Sequence, residues 1–164
     1  MSLTDPHPET RRQGEEQRVP ELSVSVVIPH FNSTDTIGRA LESIAVQTLL
    51  PLEVVVVDDC SAPEERETLR GLEEESFPFR VRVLEQERNQ GPAAARNRGW
   101  EAAEGEWIAF LDSDDSWHSR RLELQARALT PATLMASTHS LVLSEDDPAP
   151  APLPTPVPAP VRLG

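Results

Sequence analysis

Short runs of β-branched and aromatic residues alternate with helical segments through the middle of this 164-residue chain. Runs such as VSVVI and VVVV are continuously apolar, which is typical of strands buried on both faces of a sheet. The segment after the first run carries apolar residues at i, i+3 and i+4 spacing, which indicates an amphipathic helix. The alternation predicts an α/β fold with a mostly parallel sheet and helices on both faces. Predicted strands span residues 24–28, 53–57, 79–84 and 107–111, and predicted helices span residues 34–48, 63–75, 91–103 and 120–129.

The length favours one domain, because 164 residues are too few for two ordinary cores. Residues 1–22 carry proline, glutamate and arginine without apolar periodicity, so we expect a disordered leader. Residues 23–130 are the predicted folded domain. Residues 131–164 lose the periodic signal and contain PAPAPLPTPVPAP from residue 148, which predicts a poorly structured proline-rich tail and a sheet that is incomplete at its C-terminal end.

Composition narrows the possible functions. The formal charge is -13 with no lysine, which argues against a nucleic-acid binder, because phosphate neutralisation needs clustered cations. Cys60 is the only cysteine, so an intrachain disulfide is impossible and a reducing, cytoplasmic location is expected. No run approaches the roughly 20 apolar residues of a transmembrane segment.

Acidic residues follow two of the predicted strands. Asp58 and Asp59 come directly after VVVV, and Asp112, Ser113 and Asp114 come directly after WIAFL. Because ligands bind at the carboxyl ends of parallel strands, both groups are expected at one edge of the sheet. Two carboxylates on a tight turn can hold Mg²⁺ or Mn²⁺, and the cation can then bind a diphosphate. A solvated acidic turn or a helix cap is the alternative for each group.

Other polar and aromatic residues lie close to these turns in the sequence. Phe31 could stack on a nucleobase or belong to the core, and Arg96 could donate to a base or phosphate or form a surface ion pair. His30 and His118 are expected to be surface or supporting groups rather than ligands. Cys60 is a poor nucleophile candidate beside two carboxylates.

Several other classes of protein share this type of sheet, but this sequence lacks a residue or a motif that each of them requires. A phosphoacceptor receiver domain and a Walker A loop both need a lysine, which the chain does not have. The segment RNQGPAAARNRG is not GxGxxG, which argues against a dinucleotide-binding Rossmann domain. A nucleotidyltransferase is closer, but its glycine- and lysine-containing phosphate loop is not visible in VIPHFNSTD.

Four ordered segments together resemble the successive blocks of the GT-A domain of family 2 glycosyltransferases. They are VSVVIPHFNSTDTIGRALESIAVQT, VVVVDDCS, RNQGPAAARNRG and WIAFLDSDD. The resemblance covers residues 23–129 and implies a nucleotide-diphosphate-sugar donor, with uridine as the base, bound with Mn²⁺ or Mg²⁺. It also implies inverting transfer of the sugar to an acceptor that the sequence does not identify.

The resemblance assigns roles by position. Pro29 and Phe31 would contact the base, Asp58 or, less securely, Asp59 would read its edge, and Arg96 would support it. Asp112 would face the ribose or the metal, Asp114 would be the principal metal ligand, and Ser113 lies between them on the donor side.

The chain departs from the family pattern at four places. Phe31, Cys60 and Ser119 stand where tyrosine, glycine and proline are frequent. The family places its catalytic base in a Glu-Asp motif well after the metal site, and we do not accept residues 145–147 as that motif. The catalytic residue therefore stays unknown, and the alternative is a truncated, non-catalytic nucleotide-sugar-binding remnant.

Overall fold

The computed structural model describes residues 22–129 and residue 135. The predicted leader at residues 1–22, apart from Leu22, and nearly all of the predicted tail at residues 131–164 lie outside the described residues. The strands are β1 (Val24–His30), β2 (Glu53–Asp58), β3 (Arg80–Glu85) and β4 (Trp107–Phe110), and the helices are α1 (Thr34–Ala45), α2 (Pro63–Gly71), α3 (Pro92–Ala102) and α4 (Arg121–Ala128).

The four described strands form one sheet in the order β3-β2-β1-β4, and every neighbouring pair is parallel. Each strand is separated from the next by a helix, as a parallel sheet requires. The carboxyl ends of all four strands therefore lie at one edge. The predicted α/β class, with a parallel sheet, is confirmed.

The core has two layers because successive strand residues point to opposite faces of the sheet. On one face Ile28 and Val56 pack with the apolar sides of α1, α2 and α4. On the other face Val27, Val55 and Val57 pack with Ala95 of α3. The VVVV run of β2 is completely buried, so the prediction of helices on both faces is confirmed.

Two helix ends differ from the sequence-based expectation. Helix α1 stops at Ala45 rather than at residue 48, because Gln47 and Thr48 bond to the segment before α4. The Gln47 amide donates to the His118 carbonyl at 2.8 Å, and the Thr48 N–H donates to the Ser119 carbonyl at 2.8 Å. Helix α2 ends at Gly71 rather than at residue 75 and is followed by turns.

Gly105 lies where the loop before β4 passes close to β1. A Cβ atom at this position would lie 2.5 Å from the Ser25 backbone nitrogen and 2.8 Å from Ser25 Oγ. The Gly105 N–H also donates to Ser25 Oγ at 2.8 Å. A glycine is therefore needed for the close approach of the two backbone segments.

We expect Gly105→Ala to lower the free energy of unfolding by about 1–3 kcal/mol, the usual cost of overpacking. Gly38→Ala is the matched control, since a Cβ on this residue of α1 meets nothing within 4 Å. That control should raise stability by up to about 1 kcal/mol through helix propensity. Urea denaturation of both variants measures the difference, and equal stability of the two would contradict the close approach.

Candidate functional site

A cavity of about 550 Å³ opens at the carboxyl ends of the strands. Most of the residues singled out in the sequence line it, and they come from four separate segments. They are Pro29, Phe31, Asp59, Arg96, Asp112, Ser113 and Asp114. Six further lining residues that the sequence did not point to as site residues are His30, Ser33, Asn89, Gly91, Pro92 and Ala95.

The turn after β4 carries the Asp-Ser-Asp sequence into the cavity. The Asp115 N–H donates to the Asp112 carbonyl at 3.0 Å, which closes the turn. Helix α1 and the residue before it hold the turn at two points. Ser33 Oγ lies 2.8 Å from Ser113 Oγ, and the Arg39 guanidinium donates to the Asp114 carbonyl at 2.5 Å. The Asp114 side chain remains exposed beside this anchored backbone.

Asp112 is held by an ion pair with Arg96 of α3. Both side chains are partly exposed, at 48% for Asp112 and 33% for Arg96, so the pair lies at the cavity surface. Arg96 thus brings a positive charge next to the acidic turn. An incoming cation and Arg96 would compete for the same carboxylate oxygen atoms.

The acidic turn fits a divalent metal that arrives together with a phosphate ligand. Asp112 and Asp114 offer the oxygen ligands that Mg²⁺ and Mn²⁺ prefer. Within residues 22–129, no group of three or more His, Cys, Asp or Glu side chains is arranged around a common metal position. Two carboxylates are enough for Mg²⁺, which commonly keeps several waters and takes other ligands from substrate phosphates.

The two aspartates after β2 have different surroundings. Asp58 is fully buried and accepts hydrogen bonds from the Ser61 N–H and the Ser61 hydroxyl. Asp59 is 3% exposed and lines the cavity. The geometry therefore favours Asp59 over Asp58 for contact with a ligand, and the base-reading role of either residue stays a prediction.

The Asp59 carboxylate organises the loop between β3 and α3. Oδ1 accepts hydrogen bonds from the Gln86 side-chain amide and the Gln90 N–H, both at 2.7 Å. Oδ2 accepts one from the Gly91 N–H at 2.7 Å. Gly91 has φ +86°, a conformation that favours glycine, and it precedes Pro92 at the start of α3. This end of α3 lines the cavity, where its partial positive charge favours an anion.

Phe31 and Cys60 lie in the turns after β1 and β2. Phe31 is 49% exposed and lines the cavity, so the alternative that it belongs to the core is wrong. Cys60 has φ +64°, a left-handed conformation, which explains why a glycine is frequent at this position. The turn keeps this conformation with a cysteine in place.

His30 is 1% exposed, so the alternative of a surface position is wrong for this residue, whereas His118 is exposed. Burial lowers the pKa of His30 below 6.5, although carboxylates around it act in the opposite direction. The ring is therefore neutral at neutral pH and can accept hydrogen bonds.

The parallel sheet and the aspartates at its carboxyl edge match the GT-A fold of glycosyltransferases that the four sequence segments resemble. The family model described as glycosyl transferase family 2 matches residues 25–147, and the chain belongs to this family. The described strands and helices form the N-terminal part of that domain.

Relatives and solved structures agree with this assignment. The chain is 46% identical over 105 residues to the succinoglycan biosynthesis protein ExoO of Rhizobium meliloti, covering 64% of this chain and 28% of ExoO. It is similar to S. aureus TarS 1-349 in complex with UDP-GlcNAc, with TM-score 0.57, 37% identity, and coverage of 65% of this chain and 31% of that one. It is also similar to the mannosyltransferase PcManGT of Pyrobaculum calidifontis in complex with GDP-Man and Mn²⁺, with TM-score 0.56, 29% identity and the same coverage.

The chain thus spans about a third of each of these proteins or less. Among the residues that the structure describes, none of the helices has the length and apolar character needed to cross a membrane.

Proposed function

We propose that the cavity binds a nucleotide-diphosphate sugar, with a UDP-sugar as the donor, together with Mn²⁺ or Mg²⁺, for inverting transfer of the sugar to an acceptor still to be identified. The observation that carries this proposal is that the Asp-Ser-Asp turn and the start of α3 line one cavity. One bound diphosphate could therefore contact both groups. The carboxylates would bind its cation, and the helix N-terminus would bind a phosphate. In this proposal residues 23–130 are the binding domain.

Each described residue has a separate task in this arrangement. Asp112 and Asp114 would hold the metal, which neutralises negative charge on the departing diphosphate. Arg96 would turn from Asp112 toward a phosphate or the base once the cation takes its place. The exposed ring of Phe31, next to Pro29, offers a face on which a base can stack. Asp59 keeps the loop before α3 against the cavity.

The solved relatives support this donor class. TarS binds UDP-GlcNAc in one structure, and PcManGT binds GDP-Man with Mn²⁺ in another. Both are at least 29% identical to this chain over the matched part. A nucleotide-sugar and a divalent metal are therefore the ligands to test first.

A second candidate function is nucleotide-sugar binding without transfer. Among residues 22–129, three aspartates line the cavity, and each already has a task. Asp59 accepts three hydrogen bonds, and Asp112 and Asp114 are the proposed metal ligands. This leaves no described carboxylate of the cavity free to deprotonate an acceptor hydroxyl, as inverting transfer requires. Residues 145–147 lie outside the described residues.

We expect Asp114→Asn to weaken Mn²⁺-dependent binding of UDP by about tenfold or more. Loss of a residue that only hydrogen-bonds to a metal ligand typically lowers metal affinity by about 10- to 100-fold, and loss of a direct ligand should cost at least as much. Asp115→Asn is the matched control, since Asp115 is also exposed and acidic but does not line the cavity. Isothermal titration of UDP in Mn²⁺ and in EDTA measures both variants. Equal affinities for the two variants would contradict the assignment of Asp114.

Release of UDP from UDP-glucose or UDP-GlcNAc in Mn²⁺ separates the two candidate functions once binding is established. Steady release that is lost in Asp114→Asn supports transfer. Tight binding with no release, in the presence of a panel of sugar and lipid-diphosphate acceptors, favours the binding module.

A further inference from the structure

A hydrogen-bonded chain connects the buried His30 ring to the middle of the Asp-Ser-Asp turn. Ser33 is the link: its hydroxyl lies 3.2 Å from His30 Nδ1 and 2.8 Å from Ser113 Oγ. Ser33 is also the residue before α1, and its side chain makes no capping hydrogen bond to that helix. The hydroxyl is therefore used for the contact between two loops rather than for the helix.

The directions of these hydrogen bonds follow from the tautomer. The Ser33 N–H donates to His30 Nε2 at 3.4 Å, so we assign the proton of the neutral ring to Nδ1. Nδ1–H then donates to Ser33 Oγ, whose own proton is donated to Ser113 Oγ. This hydrogen bond fixes the position of the Ser113 oxygen, and the proton of Ser113 itself is not used in the chain.

Resting on the proposed function, we propose that His30 and Ser33 are positioning residues that set the Asp-Ser-Asp turn for metal–diphosphate binding by fixing the Ser113 hydroxyl. Ser113 is 9% exposed and lies between the two proposed metal ligands, so its orientation fixes the backbone from which both carboxylates project. Arg39 holds the following carbonyl at 2.5 Å, which leaves the Ser113 side chain as the second anchor of the turn.

Protonation of His30 would remove the hydrogen bond between the Ser33 N–H and Nε2. A ring with protons on both nitrogens can no longer accept the Ser33 N–H. Carboxylates face the ring from three elements: Asp58 of β2, Glu65 of α2 with Oε2 at 3.8 Å from Nε2, and Asp35 of α1. A protonated ring is drawn toward Glu65 and away from Ser33. Burial lowers the pKa of His30 below 6.5, so this change occurs only on acidification.

The test measures the affinity of UDP in Mn²⁺ between pH 7.5 and pH 5.0 by titration calorimetry. We expect Ser33→Ala to weaken binding about three- to tenfold at pH 7.5, the worth of one hydrogen bond. Ser113→Ala breaks the same chain from its other end, and the double variant should lose no more than either single variant. Thermal unfolding of each variant checks that the fold is kept.

His30→Asn supplies a readout that general destabilisation would not give. The asparagine amide can still donate to Ser33 from about the position of Nδ1, but it does not titrate. The terminal phosphate of UDP titrates near pH 6 in every sample, so variants are compared at the same pH. Wild type should lose affinity more steeply than His30→Asn as the pH falls, and His118→Gln, at an exposed histidine, should follow the wild type.

Three results would overturn the inference, and they are distinguishable. If Ser33→Ala and Ser113→Ala bind UDP as tightly as the wild type, the two serines do not position the turn. If the wild type and His30→Asn have identical pH profiles, His30 has no part in positioning it. In both cases the donor site still stands. Absence of metal-dependent binding by the folded wild type removes the proposed function and this inference together.

Discussion

Glu53→Gln is expected to lower the free energy of unfolding by roughly 3 kcal/mol, near the lower end of the range for removing one partner of a buried ion pair. Glu53 is completely buried at the amino end of β2. Its Oε2 accepts hydrogen bonds from Arg80 at 2.8 Å and Arg82 at 3.0 Å. The loss stays near the lower end because the Arg80 side chain is 51% exposed and its charge is partly screened by water.

Glu53→Gln should also make the free energy of unfolding depend less on pH in the acid range. Burial alone would raise the pKa of Glu53. Hydrogen bonds to the carboxylate outweigh burial and lower the pKa from 4.5 to about 2. The donors are the Glu104 N–H and the side chains of Arg82, Ser25 and Arg80. A folded-state pKa below the unfolded value gives stability that is complete above pH 4.5 and is lost as the pH falls toward 2.

Urea denaturation at pH 7, 4 and 3 measures both effects. Glu67→Gln, on the exposed side of α2, is the matched control and should behave as wild type. Glu123, with a pKa lowered to about 2 chiefly by a hydrogen bond from Arg120, contributes its own acid dependence to all three proteins. An unchanged slope between pH 4 and pH 3 in Glu53→Gln would contradict the account of this carboxylate.

Asp59→Asn should lower stability by about 2–3 kcal/mol and free the loop before α3. An asparagine presents an amide donor where the carboxylate now accepts hydrogen bonds, so at least one of the three N–H groups loses its partner. Hydrogen exchange is the direct measurement, because at least one of the Gln90 and Gly91 amides should become unprotected. Binding of UDP should weaken in parallel, since the loop forms one wall of the cavity.

Asp58→Asn is the comparison for this prediction. Its carboxylate accepts the Ser61 N–H at 3.1 Å and pairs with Arg66, and neither partner belongs to the loop before α3. The amides of Gln90 and Gly91 should therefore remain protected in Asp58→Asn. Protection of both amides in Asp59→Asn would show that Asp59 does not hold the loop.

Most of the fold follows from local sequence. The VVVV run has no polar residue to turn toward water, so β2 had to lie in the middle of a sheet between two layers of helices, as it does. The helix ends were less predictable. Residues 46–48 continue the helical pattern, but Gln47 and Thr48 bond to residues more than 70 positions away. Contacts of that kind have no signal in a local window.

The candidate site was predictable in outline only. Parallel strands bring their carboxyl ends to one edge, so the sequence could place Asp59 and Asp114 near one cavity without a structure. The residues that contact and support this site could not be predicted from the sequence. The contact between Ser33 and Ser113 depends on the relative placement of β1 and β4, and the burial of His30 depends on the packing of α1 and α2 around it.

We infer that this cavity, and no other part of the acidic surface, binds a metal–nucleoside diphosphate. Amide NMR spectra of the chain with UDP and Mn²⁺, referenced to UDP and Mg²⁺, test it most directly. We expect paramagnetic broadening centred on Phe31, Gly91 and Ser113, with Gly105 at the opposite ends of the strands little affected. Broadening spread over the exposed carboxylates, or centred away from the Asp-Ser-Asp turn, would contradict it.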